Sequence, residues 1–344
     1  MSLKQLSLSS FRNLKDDTLD LHPTVNLIHG RNASGKTGFL EAISVITQGK
    51  SFRTHRLNRC ITQGQSSFLL FARFDGYRCG FRYGPFNQEI RMDGERLNGI
   101  RQLADRSALL VLDTQSLELI TGKPERRRQF IDWLLFHVEP GYADLWNRCH
   151  RILKQRNAIL RARKQLDQLK YWDNELVRAS DDIDQQRRHV IEGVLSSLKN
   201  GTVRYSSGFA KDYEHQLIDT RETDIRLGYT RYHFNRADLQ FIGAHETPMS
   251  ESASRGQIKS FAVDLYMQAI EYIQSNTQKP VIILADDLAA ELDAYNLSKL
   301  YQRMLTLEAQ LFVTALDTNH FPDSLTDQCR MFHVEHGMMG SGSN

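Results

Sequence analysis

The feature that most constrains this chain is a glycine-rich segment near its start, where residues 25–37 read VNLIHGRNASGKT. A short apolar run ends at Gly30, and Gly35, Lys36 and Thr37 complete the pattern G-x-x-x-x-G-K-[ST] of phosphate-binding loops. In such loops the glycines permit a close approach of the backbone, the lysine reaches the terminal phosphates, and the hydroxyl contacts Mg²⁺. The segment therefore predicts a nucleotide site that follows a β-strand.

The residues around this loop favour nucleotide binding over a strand-to-helix turn that matches the pattern by accident. Residues 27–28 are typical of a strand end, and the apolar residues from Phe39 to Ile46 recur at helical spacing directly after the loop. A helix that begins at Lys36 directs unpaired N–H groups and its positive dipole end at an anion. The predicted nucleotide-binding residues of the loop are Gly30, Arg31, Asn32, Ala33, Ser34, Gly35, Lys36 and Thr37.

The composition excludes several classes of protein. The chain has 344 residues, of which 40% are hydrophobic and 25% charged, as in a globular protein large enough for two domains. No apolar run approaches the roughly 18 residues that cross a bilayer, and the first residues lack the apolar stretch of a signal peptide. We therefore expect a cytoplasmic protein without a membrane partner. The four cysteines form no C-x-x-C pair, which is typical of reduced thiols.

The charge is unevenly distributed along the chain. The net charge is +3, but residues 50–170 carry +11 and the remaining residues carry −8. A local excess of charge is usually a solvated face, yet its confinement to one third of the chain favours a polyanion such as nucleic acid. The arginines predicted to contact phosphates are Arg53, Arg56, Arg59, Arg126, Arg127 and Arg128.

Three regions between and after these motifs have recognisable patterns. Tyr142–Glu192 contains neither Gly nor Pro and has apolar residues at helical spacing, which predicts a helical hairpin with a break near residues 167–173. The alternation of polar and aromatic residues over 221–236 predicts a pair of strands. Three strands separated by turn dipeptides predict an antiparallel β patch, and they are Phe68–Phe74, Cys79–Tyr83 and Glu89–Met92.

Two adjacent acids near the end of the chain complement the phosphate loop. Val281–Ala285 is a continuous apolar strand that ends in Asp286 and Asp287. Asp286 would hold Mg²⁺ together with Thr37, and Asp287 would polarise the attacking water as the catalytic residue. Buried strands often end in an acidic turn, so the pair becomes informative only in combination with the loop.

A third motif opens an amphipathic helix. The residues Ser254, Arg255, Gly256 and Gln257 precede the apolar spacing of Ile258–Ile273. They offer a hydroxyl, a glycine that permits close approach, and the positive end of a helix dipole, which together predict a second anion site. The alternative is a simple helix cap.

The order of these motifs resembles that of the ABC-type ATPase heads of SMC-like repair proteins. The residues Ala290, Glu291, Leu292 and Asp293 add a further element of that order. More closely, the chain resembles the bacterial RecF family in segments distributed between residues 3 and 337. These segments are LSLSSFRN, GRNASGKT, GKPERRRQFIDW, KQRNAIL, SRGQ, DDLAAELD and MFHVEHG.

The resemblance implies an α/β fold, namely an ABC-type P-loop ATPase head with a mixed sheet, an antiparallel β patch and an inserted helical arm. The head would comprise residues 1–122 and 201–344, and a basic arm would comprise residues 123–200. ATP and Mg²⁺ are the implied cofactors. ATP would drive formation of a homodimer, in which Ser254 of one subunit closes on the γ-phosphate held by Lys36 of the other.

The resemblance also implies a role in recombinational repair of gapped DNA and at stalled replication, and in the SOS response. The implied partners are DNA at gaps or single-strand/double-strand junctions, and recombination mediators of the RecR and RecO type. ATP hydrolysis would be weak, DNA-dependent and used as a switch, and Asp293 would lie at the dimer seam. Many ABC proteins have a histidine where this chain has Thr314, and Gln115 is the candidate for the metal-contacting glutamine.

Several alternatives remain open from the residues themselves. Arg12 could pair with a nucleotide phosphate or belong only to a turn. An ABC subunit of another process, such as a transporter ATPase, would need a membrane partner, which the basic middle of the chain argues against. A P-loop phosphotransferase would act as a monomer without the Ser254 motif. A clamp that binds ATP without useful hydrolysis would carry the same motifs.

Overall fold

The computed structural model describes residues 2–196, 202–243, 246–321, 323–326 and 329–341. The chain forms two compact units. Residues 1–117 and 277–344 form the sheet unit, and residues 118–276 form the helical unit. The division into an ATPase head and an arm that the sequence predicts has different boundaries, and it stays a prediction.

Runs of strands precede the middle of the chain, and a run of four α-helices over residues 114–195 follows them. In chain order the strands are β1 Leu3–Ser9, β2 Asp17–Asp20, β3 Val25–His29, β4 Phe68–Phe74, β5 Tyr77–Tyr83, β6 Gln88–Met92, β7 Glu95–Arg96, β8 Ala108–Leu112, β9 Thr202–Ser206, β10 Asp238–Ile242, β11 Val281–Ala285, β12 Ala309–Ala315, β13 Cys329–Glu335 and β14 Met338–Ser341. The helices are α1 Lys36–Gln48, α2 Ile100–Ala104, α3 Thr114–Leu117, α4 Pro124–Val138, α5 Tyr142–Ala162, α6 Leu169–Leu195, α7 Tyr213–Leu227, α8 Met249–Ser252, α9 Arg255–Asn276, α10 Ala294–Thr306 and α11 Asp323–Thr326.

A mixed sheet forms one layer of the sheet unit. In the part of the chain that the structure describes, its six strands have the order β14-β13-β3-β12-β11-β8. All neighbouring strands are parallel except β14, which is antiparallel to β13. The apolar strand predicted over residues 281–285 is confirmed as β11, and β12 and β8 lie on either side of it. Because parallel strands end at one edge, the loop after β3 lies at the same edge as the residues after β11.

An antiparallel sheet forms the other layer. Within the described ranges its six strands have the order β2-β1-β4-β5-β6-β7, which confirms the predicted antiparallel patch and adds the two N-terminal strands to it. Along β4 the side chains alternate between buried and exposed, so the sheet has one apolar face and one solvated face. Phe39 and Ile43 of α1 join one core cluster with Phe81 and Phe312, one from each sheet. The helix after the phosphate loop is therefore fixed between the two layers.

The helical unit confirms the predicted hairpin and contradicts the predicted strand pair. Helices α5 and α6 are separated by residues 163–168, slightly before the expected break. The prediction of strands over 221–236 is wrong, because α7 continues to Leu227. Asp212 caps the start of α7 by accepting a hydrogen bond from the His215 N–H, and Gly228 ends the helix at φ +78°. Among the described residues, no helix is long and apolar enough to cross a membrane.

Two arginines are completely buried inside the helical unit. Arg156 on α5 donates to Asp173 Oδ1 on α6 at 2.7 Å and to Asp224 Oδ2 on α7 at 2.9 Å. Arg187 on α6 donates to Asp132 Oδ1 on α4 at 2.8 Å. Buried charges of this kind require paired partners, since an isolated charge in the interior is costly. The ion pairs therefore specify how these four helices pack.

Candidate functional site

Two glycines give the loop between β3 and α1 its shape. Gly30 has φ +154°, and a Cβ there would lie 2.3 Å from the carbonyl oxygen of Val334. Gly35 has φ +127°, and a Cβ there would lie 2.7 Å from Leu14 Cδ2. Side chains rarely tolerate either the dihedral angles or the space, so the loop keeps this path only with glycine. The two glycines therefore fix the path of the loop at both of its ends, and phosphate binding by the loop stays a prediction.

Residues far apart in the sequence support the loop from outside. The Gly337 N–H donates to the carbonyl of Ser34 at 3.0 Å, and Asn13 Nδ2 donates to the carbonyl of Ala33 at 3.1 Å. The Lys15 N–H donates to the Gly337 carbonyl at 2.8 Å, so the two supporting segments also bind each other. Gly337 has φ +80°, and a Cβ there would lie 2.0 Å from the Asn13 carbonyl oxygen. Asn13 and Gly337 belong to two of the segments that carry the family resemblance, but the sequence did not indicate that they support the loop.

The side chains of the loop fit a phosphate. Lys36 Nζ is buried and donates to the carbonyl oxygens of Gly30 at 2.6 Å and Arg31 at 3.1 Å. Burial lowers the pKa of Lys36, and the nearby Asp287 opposes that shift. The hydroxyl of Ser34 is buried and has no hydrogen-bond partner among the residues described. A buried ammonium bound only to carbonyls and an unpartnered hydroxyl are both groups that an anion would satisfy.

The first of the paired acids meets the phosphate loop. Thr37 Oγ1 donates to Asp286 Oδ1 at 3.1 Å, and Thr314 Oγ1 donates to the same oxygen at 2.8 Å. Burial raises the pKa of Asp286, while the hydrogen bonds from the two threonines oppose the shift. A carboxylate whose charged form is disfavoured by burial gains stability from a divalent cation. Hydroxyl and carboxylate oxygens are ligands that Mg²⁺ prefers, so the donor set fits this ion.

The second acid and two neighbouring residues lie at the same edge of the sheet. Asp287 adopts φ +51°, and its N–H donates to Thr314 Oγ1 at 2.9 Å. Thr314 therefore contacts both acidic residues, a connection that its place in the sequence did not reveal. Gln115 lies in α3, three residues after the end of β8, which is the strand adjacent to β11. Its predicted contact with a metal stays a prediction.

Arg12 is held by a buried carboxylate. Its guanidinium donates to both oxygens of Glu41 on α1, at 2.6 and 2.7 Å, and to the Arg59 carbonyl at 2.6 Å. The Ser51 hydroxyl also donates to Glu41, which is completely buried. The hydrogen bond to Glu41 raises the pKa of Arg12. Arg12 thus connects α1 to the segment that carries Arg59, and both alternatives for Arg12, a contact with a nucleotide phosphate or a place in a turn, stay open.

The arginines predicted to contact DNA are not equivalent. Arg53, Arg56 and Arg59 are exposed on the segment after α1. Arg127 is buried and forms an ion pair with Asp238 at 2.7 Å, so the prediction that it contacts DNA phosphates is wrong in this structure. Burial of an arginine in an internal ion pair removes it from the surface that a polyanion could reach.

The Ser254 motif forms the cap that was the alternative explanation for it. The Ser254 N–H donates to Gln257 Oε1 at 2.8 Å, and the Gln257 N–H donates to Ser254 Oγ at 3.3 Å, which is a capping box. These residues, together with Arg255 and Gly256, are exposed at the start of α9. A Cβ on Gly256 would meet nothing within 4 Å, although glycine in a helix costs about 0.5–1 kcal/mol relative to alanine. The fold of this chain therefore does not require that glycine.

Comparison with known sequences finds one family repeatedly. A family model described as an AAA domain matches residues 5–192. The DNA replication and repair protein RecF of Teredinibacter turnerae is 35% identical over 367 aligned residues, which cover 98% of this chain and 96% of that protein. The RecF protein of Shewanella baltica is 34% identical, and the alignment covers 98% of each chain.

Solved structures with a similar fold come from two groups. A structure described as the recombination mediator protein RecF-ATP in the RecFOR pathway has a TM-score of 0.85 at 22% identity, covering 99% of this chain and 98% of that one. An SMC head bound to the C-winged helix domain of ScpA has a TM-score of 0.56 at 16% identity, covering 100% and 98%. These similarities confirm the predicted fold class, an ABC-type ATPase head with a mixed sheet, an antiparallel sheet and a helical insertion.

Proposed function

Because this chain belongs to the RecF family, we propose that it is an ATP-dependent DNA-binding protein of replication and recombinational repair. The observation that carries the proposal is the 3.1 Å contact between Thr37 of the phosphate loop and Asp286. This contact unites two motifs that are 249 residues apart in the sequence. A nucleoside triphosphate with its metal needs both motifs at one place.

In this proposal residues 30–37 bind the phosphates of ATP through their N–H groups and through Lys36. Thr37 and Asp286 hold Mg²⁺, which when bound neutralises charge on the phosphate oxygens. Asp287 accepts a proton from the attacking water at a carboxylate oxygen, and Thr314 positions both acids through its hydroxyl. Hydrolysis is weak and DNA-dependent, and it acts as a switch.

We propose further that ATP controls dimerisation. The start of α9 is exposed, and the open space at Gly256 supports the close approach of a ligand from outside the chain. Ser254, with the residues through Gln257, would contact the γ-phosphate bound by Lys36 of a second subunit. Asp293, which is exposed and caps α10, would lie at the seam between the subunits.

The variant Ser254→Arg is expected to abolish the ATP-induced dimer. Light scattering with ATP and Mg²⁺ should give a dimer for the parent and a monomer for the variant, because the arginine would fill the space over the start of α9. Ser275→Arg places the same substitution at the other end of α9, where Ser275 is exposed, and should leave the dimer intact.

A dimer that persists in Ser254→Arg would contradict the two-subunit site. A parent that hydrolyses ATP as a monomer would instead support the phosphotransferase alternative.

The proposed DNA contacts come from the basic segment after α1, which carries the exposed Arg53, Arg56 and Arg59. DNA at gaps and single-strand/double-strand junctions would be bound through its phosphates, with little base specificity. RecR-type and RecO-type mediators are the proposed protein partners, in keeping with the RecFOR pathway named for the similar solved structure. In the proposed division, residues 1–122 and 201–344 form the head, and residues 123–200 form the arm.

Replacing Arg53, Arg56 and Arg59 by glutamine is expected to weaken binding to gapped DNA similarly for all base sequences. The slope of log affinity against log salt should fall by about 0.9 for each phosphate of duplex DNA that the protein no longer neutralises. Fluorescence anisotropy over a salt series measures both effects. Arg178→Gln, which removes an exposed charge from α6, is the control. A parent whose affinity does not change with salt would refute the phosphate contacts.

A further inference from the structure

The solvated face of the antiparallel sheet carries exposed apolar side chains. Leu69 and Phe71 are adjacent on this face of β4, and they are 49% and 39% exposed. Phe86, at the tip of the turn between β5 and β6, is 99% exposed at the end of the sheet where Leu69 lies. Large apolar groups in such positions indicate a binding surface more often than scattered exposed residues do.

Arginines surround these apolar side chains on the same face. The pairing register places Arg82 opposite Leu69, and places Arg78 opposite Arg73. The exposed arginines of this surface, which we call the arginine face, are Arg73, Arg78, Arg82, Arg91 and Arg96. The structure describes every residue of β4, β5 and β6, and these strands present one acidic residue on this side, Glu89. Glu89 forms an ion pair with Arg91 at 2.6 Å. The face therefore keeps a net positive charge.

A glycine leaves space at the centre of the arginine face. Gly80 lies opposite Phe71 on one side and opposite Arg91 on the other. An added Cβ would come to 4.0 Å from Phe71 Cδ2, so the gap between the aromatic ring and the guanidinium is open. Glycine inside a strand weakens the sheet and often marks a place where a ligand approaches closely.

A shallow depression extends the apolar centre toward β1 and β2. It has a volume of about 360 Å³, within the range of small-ligand pockets, and Leu69 and Phe71 form one of its walls. Hydroxyl groups in its lining come from Ser7, Ser9 and Thr18. Asp16 and Asp17 also line it, so negative charge borders the depression on the side away from the arginines. A bound anion would thus be directed toward the arginines.

We propose that the arginine face binds single-stranded nucleic acid. Bases stack on Phe71 and Leu69 and reach the depression, while the phosphates lie over the arginines of β4, β5 and β6. Unpaired bases expose the faces that stack on aromatic groups, whereas the bases of a duplex already stack on each other. The inference rests on the proposed DNA-binding function and adds a surface separate from the basic segment after α1.

The first test removes the apolar centre. The double variant Leu69→Ser/Phe71→Ser should bind a fluorescein-labelled oligothymidylate about tenfold more weakly than the parent, because the bases lose the aromatic group on which they stack. Affinity for a blunt duplex should stay within about twofold, because a duplex does not stack on this face. Leu305→Ser, which removes an exposed leucine from α10, should change neither affinity.

The second test removes charge and maps the binding surface. Arg73→Gln/Arg82→Gln should reduce the salt slope for the single strand by about 0.7 for each phosphate that the variant no longer neutralises. Lys299→Gln on α10 should leave the slope unchanged. Ultraviolet crosslinking of the oligothymidylate to the parent should label the peptide that contains residues 68–74.

The outcomes separate this inference from the proposed function. If the double variants bind the single strand as the parent does, the inference is wrong, and the face is left for another ligand such as an acidic protein. If the parent binds gapped DNA through Arg53, Arg56 and Arg59 at the same time, the proposed function stands. A parent that binds no DNA in any nucleotide state would refute both.

Discussion

Asp287→Asn is expected to lower ATP turnover at least a hundredfold while ATP binding and the ATP-induced dimer are retained. A positioned general base contributes about 10²–10⁴ to a rate, and asparagine cannot accept the proton from water. The substitution preserves the fold, because the Asp287 N–H still reaches Thr314 and asparagine tolerates the positive φ of this position. Single-turnover hydrolysis and binding of a fluorescent ATP analogue measure the two properties separately.

Asp286→Asn is the matched comparison for that variant. It makes the same exchange of a carboxylate for an amide at the other member of the acidic pair, whose Oδ1 accepts hydrogen bonds from Thr37 and Thr314. This variant should lose the Mg²⁺-dependent part of ATP binding, since an amide is a poorer ligand for a hard cation than a carboxylate. Hydrolysis at the parent rate by Asp287→Asn would show that another group activates the water.

Arg156→Ala is expected to lower the free energy of unfolding of the helical unit by about 3 kcal/mol. The variant leaves Asp173 and Asp224 buried without the cation that lies between them. Each aspartate then keeps one ion pair, Asp173 with Arg221 and Asp224 with Arg231. All three tryptophans lie in the helical unit, so their fluorescence during urea denaturation reports on its unfolding.

Arg148→Ala is the control for the buried arginine. Arg148 is on the same helix and pairs with Glu175 on α6 at 3.0 Å, but its side chain is 46% exposed. Exposed pairs contribute about 0–1 kcal/mol, so the urea midpoint should move little. Equal losses in the two variants would mean that packing of the arginine stems, and not the buried ion pairs, stabilises the unit.

The parts of the fold that the sequence predicted correctly are those with strong local signals. The continuous apolar run of β11 and the absence of Gly and Pro from Tyr142 to Glu192 each allow a limited set of structures. The prediction at residues 221–236 was wrong because it relied on the alternation of polar and aromatic residues and not on the residues that mark the ends of a helix. Asp212 and Gly228, which terminate α7, are ordinary cap residues that a search for helix ends would have found.

The sequence indicated the component motifs of the candidate site, but it did not indicate the residues that support those motifs. The phosphate loop, Asp286 and Asp287 have local patterns, so each could be identified from its neighbours in the sequence. The contact from Gly337 depends on the pairing of β13 with β3, and the contact from Asn13 comes from the segment between β1 and β2. No local pattern encodes either contact. The role of Thr314 likewise follows only from the position of β12 between β3 and β11.

The support of the phosphate loop by Gly337 also affects when the loop is completed during synthesis of the chain. Ribosomes add about 5–20 residues per second, and more than 300 residues separate Ser34 from Gly337. A nascent chain therefore carries the loop for roughly 15–60 s before the segment that braces it has been synthesised. During that interval the loop lacks its hydrogen bond from Gly337. The candidate nucleotide site therefore gains this support only after residue 337 has been synthesised, more than 300 residues after the loop itself.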